Sequence, residues 1–124
     1  MLLAADIGGT HARIGLFAAG AVPTRTVVRE YATRECGSIE ALVSRLRAEV
    51  PAFTVDAAAV AIAGPVRHGA ATLTNGEWGT SESGIAAACG TSRVRLLNDL
   101  TALAWGTLAL GGDACATLLP GEPE

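Results

Sequence analysis

The sequence predicts an α/β fold: a mixed five-stranded sheet in the order β-β-β-α-β-α-β-α, with helices on the sheet faces. Three observations lead there. The first third of the chain carries three strand-like stretches parted by short turns. Apolar runs then alternate with helix-period patterns, and three antiparallel strands giving way to strand–helix–strand crossovers make a mixed sheet. The composition supplies the core, since half of the 124 residues are hydrophobic and the mean hydropathy is +0.39.

Leu2–Ile7 is a near-continuous apolar run, expected to be a strand covered on both faces. His11–Phe17 follows after the Gly-Gly-Thr turn and closes a hairpin. Arg25–Tyr31 is more polar, as an edge strand is. In SIEALVSRLRAEVP the residues Ile39, Leu42, Val43 and Leu46 fall at i, i+3, i+4 and i+7; Ser38 stands at the cap and Pro51 closes the helix. AAAVAIAGP (57–65) is a second buried strand ending in a Gly64-Pro65 turn. VRHGAATLTN reads as a small hairpin bent at Gly69, and Glu82–Cys89 as a short helix between Thr80 or Ser81 and Gly90. RVRLLND is a third core strand and LTALAWGTLAL a closing helix with an apolar face. The tail GGDACATLLPGEPE has the Gly, Pro and acid content of a connection, so the expected organisation is a domain over 1–110 and a connection over 111–124.

Several functional classes are excluded by composition. The net charge is −3, with nine arginines, no lysine and twelve acids spread along the chain. No basic stripe is present to neutralise phosphates, which argues against nucleic acid as a partner. No segment approaches the ~20 apolar residues of a membrane span. Three cysteines, Cys36, Cys89 and Cys115, stand far apart without a C-x-x-C pair; packed free thiols in a reducing cytoplasm are expected. His11 and His68 stand alone and are read as turn or surface residues.

Asp6-x-Gly8-Gly9-Thr10, Gly64-Pro65 and Asn98-Asp99 all stand at the ends of core strands, where ligands bind in open α/β sheets. In DIGGT, Gly8 and Gly9 let the backbone approach an anion with its N–H groups, and Thr10 adds a hydroxyl. Asp6 is suited to hold Mg²⁺ through water. The competing reading is a Gly-Gly hairpin with Asp6 paired to a neighbour such as Arg13. In LLNDLTALAW, Asp99 is suited to general-base work with Asn98 orienting a hydroxyl, or else Asp99 caps the helix that follows. In TLTNGEW, Thr74, Asn75, Glu77 and Trp78 offer polar groups beside a flat apolar face, the mix that binds a sugar, or form a polar turn with Trp78 in the core.

DIGGTHARIGLF, AVAIAGPV, TLTNGEW and LLNDLTALAWG occur in the order and roughly the spacing of the bacterial glucokinase family, which the chain resembles over nearly its whole length. That family belongs to the sugar kinase, Hsp70 and actin superfamily. The resemblance implies a ribonuclease-H-like (actin-like ATPase) domain, the smaller N-terminal one of two flanking a cleft. It also implies transfer of the ATP γ-phosphoryl to the 6-hydroxyl of glucose, the first step of glycolysis. On it, Asp99 matches the catalytic base and Asn98 a sugar-hydroxyl ligand; Asp6, Gly8, Gly9 and Thr10 match the first phosphate motif, with Mg²⁺ near Asp6. Asn75, Gly64 and Pro65 match the sugar-pocket wall more loosely. Partners implied are glucose, ATP, a C-terminal large domain and, at full length, a second copy. The chain departs from the motif at His11, where the family has Asn, and it stops at PGEPE, where the family continues into a second phosphate loop and an adenosine pocket. An N-terminal fragment inactive by itself is therefore expected. The rival readings are a kinase of the repressor/open-reading-frame/kinase group acting on another hexose or N-acetylhexosamine, and a non-catalytic sugar-sensing module.

Overall fold

The structure, a computed structural model, describes residues 1–50, 52–73 and 78–116. Pro51, Thr74, Asn75, Glu77 and the end of the tail lie outside the described residues, and with them the expected helix stop at Pro51, the expected sugar contact of Asn75 and much of the 111–124 connection.

Five strands form the main sheet: β1 (Leu2–Ile7), β2 (His11–Ala18), β3 (Thr24–Ala32), β4 (Ala57–Ile62) and β8 (Val94–Asn98), in spatial order β3-β2-β1-β4-β8. β1, β2 and β3 are antiparallel neighbours, whereas β4 lies parallel to β1 and β8 parallel to β4. Helix α1 (Ile39–Glu49) makes the first crossover, and α2 (Glu82–Cys89) leads into β8. In α1, Ile39, Leu42, Val43 and Leu46 are all buried, and the Ser38 hydroxyl accepts from the Ala41 N–H at 3.2 Å. In α2, Ser81 caps through the Gly84 N–H at 3.1 Å, and Gly90 ends the helix at φ 73°, a left-handed conformation glycine takes without a Cβ clash.

Between β4 and α2 the sequence predicts a two-strand hairpin. The chain instead forms a three-stranded antiparallel sheet of β5 (Val66–Arg67), β6 (Ala70–Thr72) and β7 (Gly79–Ser81). Its last strand is too short and polar to announce itself, and it exists because Ala71 and Thr72 pair with Thr80 and Gly79. The closing helix α3 (Asp99–Thr107) stops short of the expected Leu110.

The core is one continuous cluster on one face of the main sheet, where Leu3, Ile7, Ile14, Leu16, Val60 and Ile62 meet α1 and α2. The expectation that β1 is covered on both faces is corrected here. Leu3, Ala5 and Ile7 are buried, but Leu2 and Ala4 are half-buried and Asp6 is exposed, because both crossover helices pack on the same face. The open face carries a shallow groove of about 740 Å³ lined by Leu2, Ala4, Phe17, Ala57, Ala59 and Arg95, among others. At the start of β1 the Met1 ammonium contacts Asp56 Oδ2 at 2.6 Å and the Thr54 carbonyl at 3.1 Å; its hydrogen bond holds the Asp56 carboxyl below its ordinary pKa. Cys36 and Cys89 are buried thiols, with burial raising the pKa of each, while Cys115 is exposed and departs from the expected packing.

Candidate functional site

Sheet register brings the three sequence features to one end of the molecule. Asp6 lies beside Ala61, which lies beside Leu97; one residue on, Ile7, Ile62 and Asn98 are in line across β1, β4 and β8. At about 4.8 Å per strand, the turn after β1 and the end of β8 stand about 10 Å apart, with the turn after β4 between them.

The Gly8-Gly9-Thr10 turn is closed by the Gly8 N–H bonding the His11 carbonyl at 2.9 Å. A Cβ on Gly8 would crowd that same carbonyl, while a Cβ on Gly9 would meet nothing within 4 Å, so the turn has an open side. Thr33 holds it from behind. This residue is fully buried; its hydroxyl donates to the Gly8 carbonyl at 2.8 Å and its N–H to the Thr10 carbonyl at 2.9 Å. Among the described residues, the N–H groups of Gly9 and Thr10 have no partner.

Asp6 makes no hydrogen bond or ion pair among the described residues, although its field adds a small upward push to the Arg13 pKa. The pairing of Asp6 with Arg13 that the sequence left open is not what forms. Arg13 lies across from both carboxylates in the ladder, and its Nε donates to Glu30 Oε2 at 2.5 Å. That hydrogen bond raises the Arg13 pKa and lowers that of Glu30. His11 Nε2 stands 4.0 Å from the other Glu30 oxygen. Glu30 thus draws the cation away and leaves the Asp6 carboxylate unengaged. An unengaged carboxylate, two unpartnered N–H groups and open space over Gly9 fit a phosphate group with a hydrated divalent cation.

At the end of β8 the cap is Asn98, not Asp99. Asn98 Oδ1 accepts from Leu100 N–H at 3.0 Å and Thr101 N–H at 3.4 Å, while its Nδ2 donates to the Gly64 carbonyl at 3.0 Å. Asp99, half-buried in the first turn, accepts from the Leu100 N–H through Oδ1 at 2.8 Å, and Oδ2 has no partner among the described residues. Capping by Asn98 removes the need for Asp99 to cap. Gly64 is buried, and a Cβ there would collide with the Thr72 carbonyl, so only glycine lets the β4 turn pass under the small sheet; Pro65 is exposed. Trp78 is buried in the core, and its indole N–H has no partner among the described residues. The core reading of Trp78 therefore holds over the sugar-face one.

Sequence reasoning missed three residues that shape this end of the molecule. Thr33 and Glu30 act across strands 17 to 25 positions from their partners. Glu82 accepts from the Leu96 N–H at 3.1 Å on the open edge of β8. None of the three stands in a motif, and the alternation of β3 was the only signal that Glu30 and Arg13 could share a face.

The Glucokinase family model matches residues 3–124. A curated glucokinase of Caulobacter sp. (strain K31) is 39% identical over 103 residues, covering 82% of this chain and 31% of that protein. Among solved structures, a glucokinase from an Antarctic psychrotroph superposes with a TM-score of 0.84 at 28% identity over 99% of this chain and 39% of that one. A Balamuthia mandrillaris glucokinase in complex with glucose gives a TM-score of 0.63 at 20% identity, over 86% and 31% of the two chains, a likeness of fold. The chain spans about a third of the length of the curated relatives it matches.

Proposed function

The chain belongs to the glucokinase family, and from that premise we propose that it forms the N-terminal, ribonuclease-H-like domain of a kinase that moves the ATP γ-phosphoryl to the 6-hydroxyl of glucose. Residues 1–110 make the domain and 111–124 begin the connection to a larger one. The sequence that relatives carry beyond the matched third supplies the opposite wall of the cleft and the adenosine pocket; this domain does not turn over alone.

The observation that carries the reading is the division of labour at the end of β8. Asn98 takes the capping role, and among the described residues Asp99 keeps one carboxylate oxygen without a partner, at the same end of the sheet as the phosphate-suited turn. Asp99 is the general base for the sugar hydroxyl. Asn98 has one amide hydrogen beyond its bond to Gly64 with which to orient that hydroxyl. Gly64, Pro65 and Asn75 wall the sugar site. Gly9 and Thr10 receive the phosphates through their backbone N–H groups, Gly8 shapes the turn that presents them, and Asp6 holds Mg²⁺ through water. The bound metal supplies positive charge to the transferring phosphoryl group; the chain's own part is positioning and proton removal.

The test is coupled ADP release by the full-length protein against a panel of hexoses, as wild type and Asp99→Asn. We expect glucose-dependent turnover, lower by ~10²–10⁴-fold in the variant. Turnover with another sugar alone would keep the chemistry and change the substrate. Equal turnover by both proteins would remove Asp99 from the reaction.

A further inference from the structure

We infer that Thr33 is a positioning residue of the phosphate turn, and that its buried hydroxyl sets the direction of the Gly9 N–H. The inference rests on the kinase reading only for the identity of the anion. A trans peptide is planar, and its C=O and N–H point to opposite sides. The Gly8 carbonyl and the Gly9 N–H belong to one such peptide. The Thr33 hydroxyl holds the Gly8 carbonyl from the core side at 2.8 Å, so the Gly9 N–H turns to the other side. A Cβ built on Gly9 meets nothing within 4 Å, so the turn is open around that residue. Without the clasp, Gly-Gly is the dipeptide freest to rotate this peptide, because neither residue has a Cβ to bar other φ and ψ values. Thr33 is itself fixed: it is fully buried, and its own N–H bonds the Thr10 carbonyl at 2.9 Å. Two bonds from one buried residue thus brace both ends of the turn, and the one to the Gly8 carbonyl leaves the Gly9 donor facing outward and already oriented. Preorganised donors bind an anion without first losing backbone freedom.

The experiment compares two pairs that differ only in the hydroxyl: Thr33 against Thr33→Val, and Thr33→Ser against Thr33→Ala. Shape is held in the first pair and changes by a single atom in the second, so packing loss largely cancels, and either pair alone reads the answer if one variant fails to fold. In the full-length protein we expect KM for ATP to rise about tenfold when the hydroxyl is removed, with KM for glucose unchanged within twofold. Thr33→Ser stays near wild type. In the 124-residue chain, the Gly9 amide cross-peak in a ¹H–¹⁵N spectrum moves in Thr33→Val and returns in Thr33→Ser. A variant that loses thermal stability yet leaves the Gly9 cross-peak or the ATP KM in place would reduce Thr33 to a core residue and overturn the inference. Absence of sugar-dependent turnover in the wild type would instead overturn the kinase reading, and the Gly9 cross-peak would still decide the role of Thr33.

Discussion

Asn98 uses both ends of its amide inside the fold, one to cap α3 and the other to bind the turn after β4. Removing it exposes the first N–H groups of α3 and orphans the Gly64 carbonyl. A lost cap costs about 1 kcal/mol and an unmatched partly buried carbonyl about 1–3 kcal/mol. Asn98→Ala should therefore lower the free energy of unfolding by about 2 kcal/mol in urea titrations; an unchanged midpoint would mean that neither bond matters. The sequence offered Asn98 as a ligand and Asp99 as either a general base or the cap of α3. Both are common helix-start residues, and composition alone cannot assign the cap between neighbours. The backbone decides it, since Asn98 keeps extended φ and ψ of −64° and 146° while Asp99 already lies within the helix.

At the scale of elements, α1 is the clearest case of sequence dictating structure. Its apolar period, its Ser38 cap and its amphipathic face all agree, and every residue of the stripe is buried. What the period could not disclose is how the helix is fastened to β3. Tyr31 donates to Glu49 Oε1 at 2.9 Å, and the Arg45 guanidinium lies 4.3 Å from the ring centre. Burial, with the bond to Glu49 next, pushes the Tyr31 phenol up to about 12 from 10.0. The folded state thus holds this proton more tightly than the unfolded chain does. Its contribution is complete below about pH 10 and is lost as pH rises toward about 12. Thermal melts from pH 9 to 12 should converge for wild type and Tyr31→Phe at the alkaline end; parallel curves would show that the phenol titrates normally. The third strand of the small sheet was illegible for a different reason: β7 exists only through its partners, and a pairing carries no local pattern.

In the molecule as a whole, the two faces of the main sheet are unequal. α1 and α2 cover one; the other holds the Ala-lined groove, and α3 leaves the sheet with none of its residues buried. Leu100, Leu103, Trp105 and Leu108 are between 66% and 77% exposed. Apolar surface of this kind drives association. Sedimentation velocity on the 124-residue chain should show concentration-dependent self-association that Leu103→Gln with Leu108→Gln relieves. Because neither side chain is buried, the melting temperature should hardly move. A variant that still associates would direct attention to the groove instead. The hydrophobic pattern marked α3 as a helix, but burial depends on what lies opposite, and that is not written in the helix itself. The ends of the three parallel strands were legible because glycines, amides and carboxylates there break apolar runs. The bracing behind them was not, because it joins distant positions. One last property follows from the pairing of the Met1 ammonium with Asp56 and Thr54 in a chain that has no lysine. The amino terminus is then the sole aliphatic amine, and in the fold both of its partners must let go before an acylating reagent can reach the nitrogen lone pair. A single dye attached there would report, through its rate of attachment, how often that corner of the sheet frays.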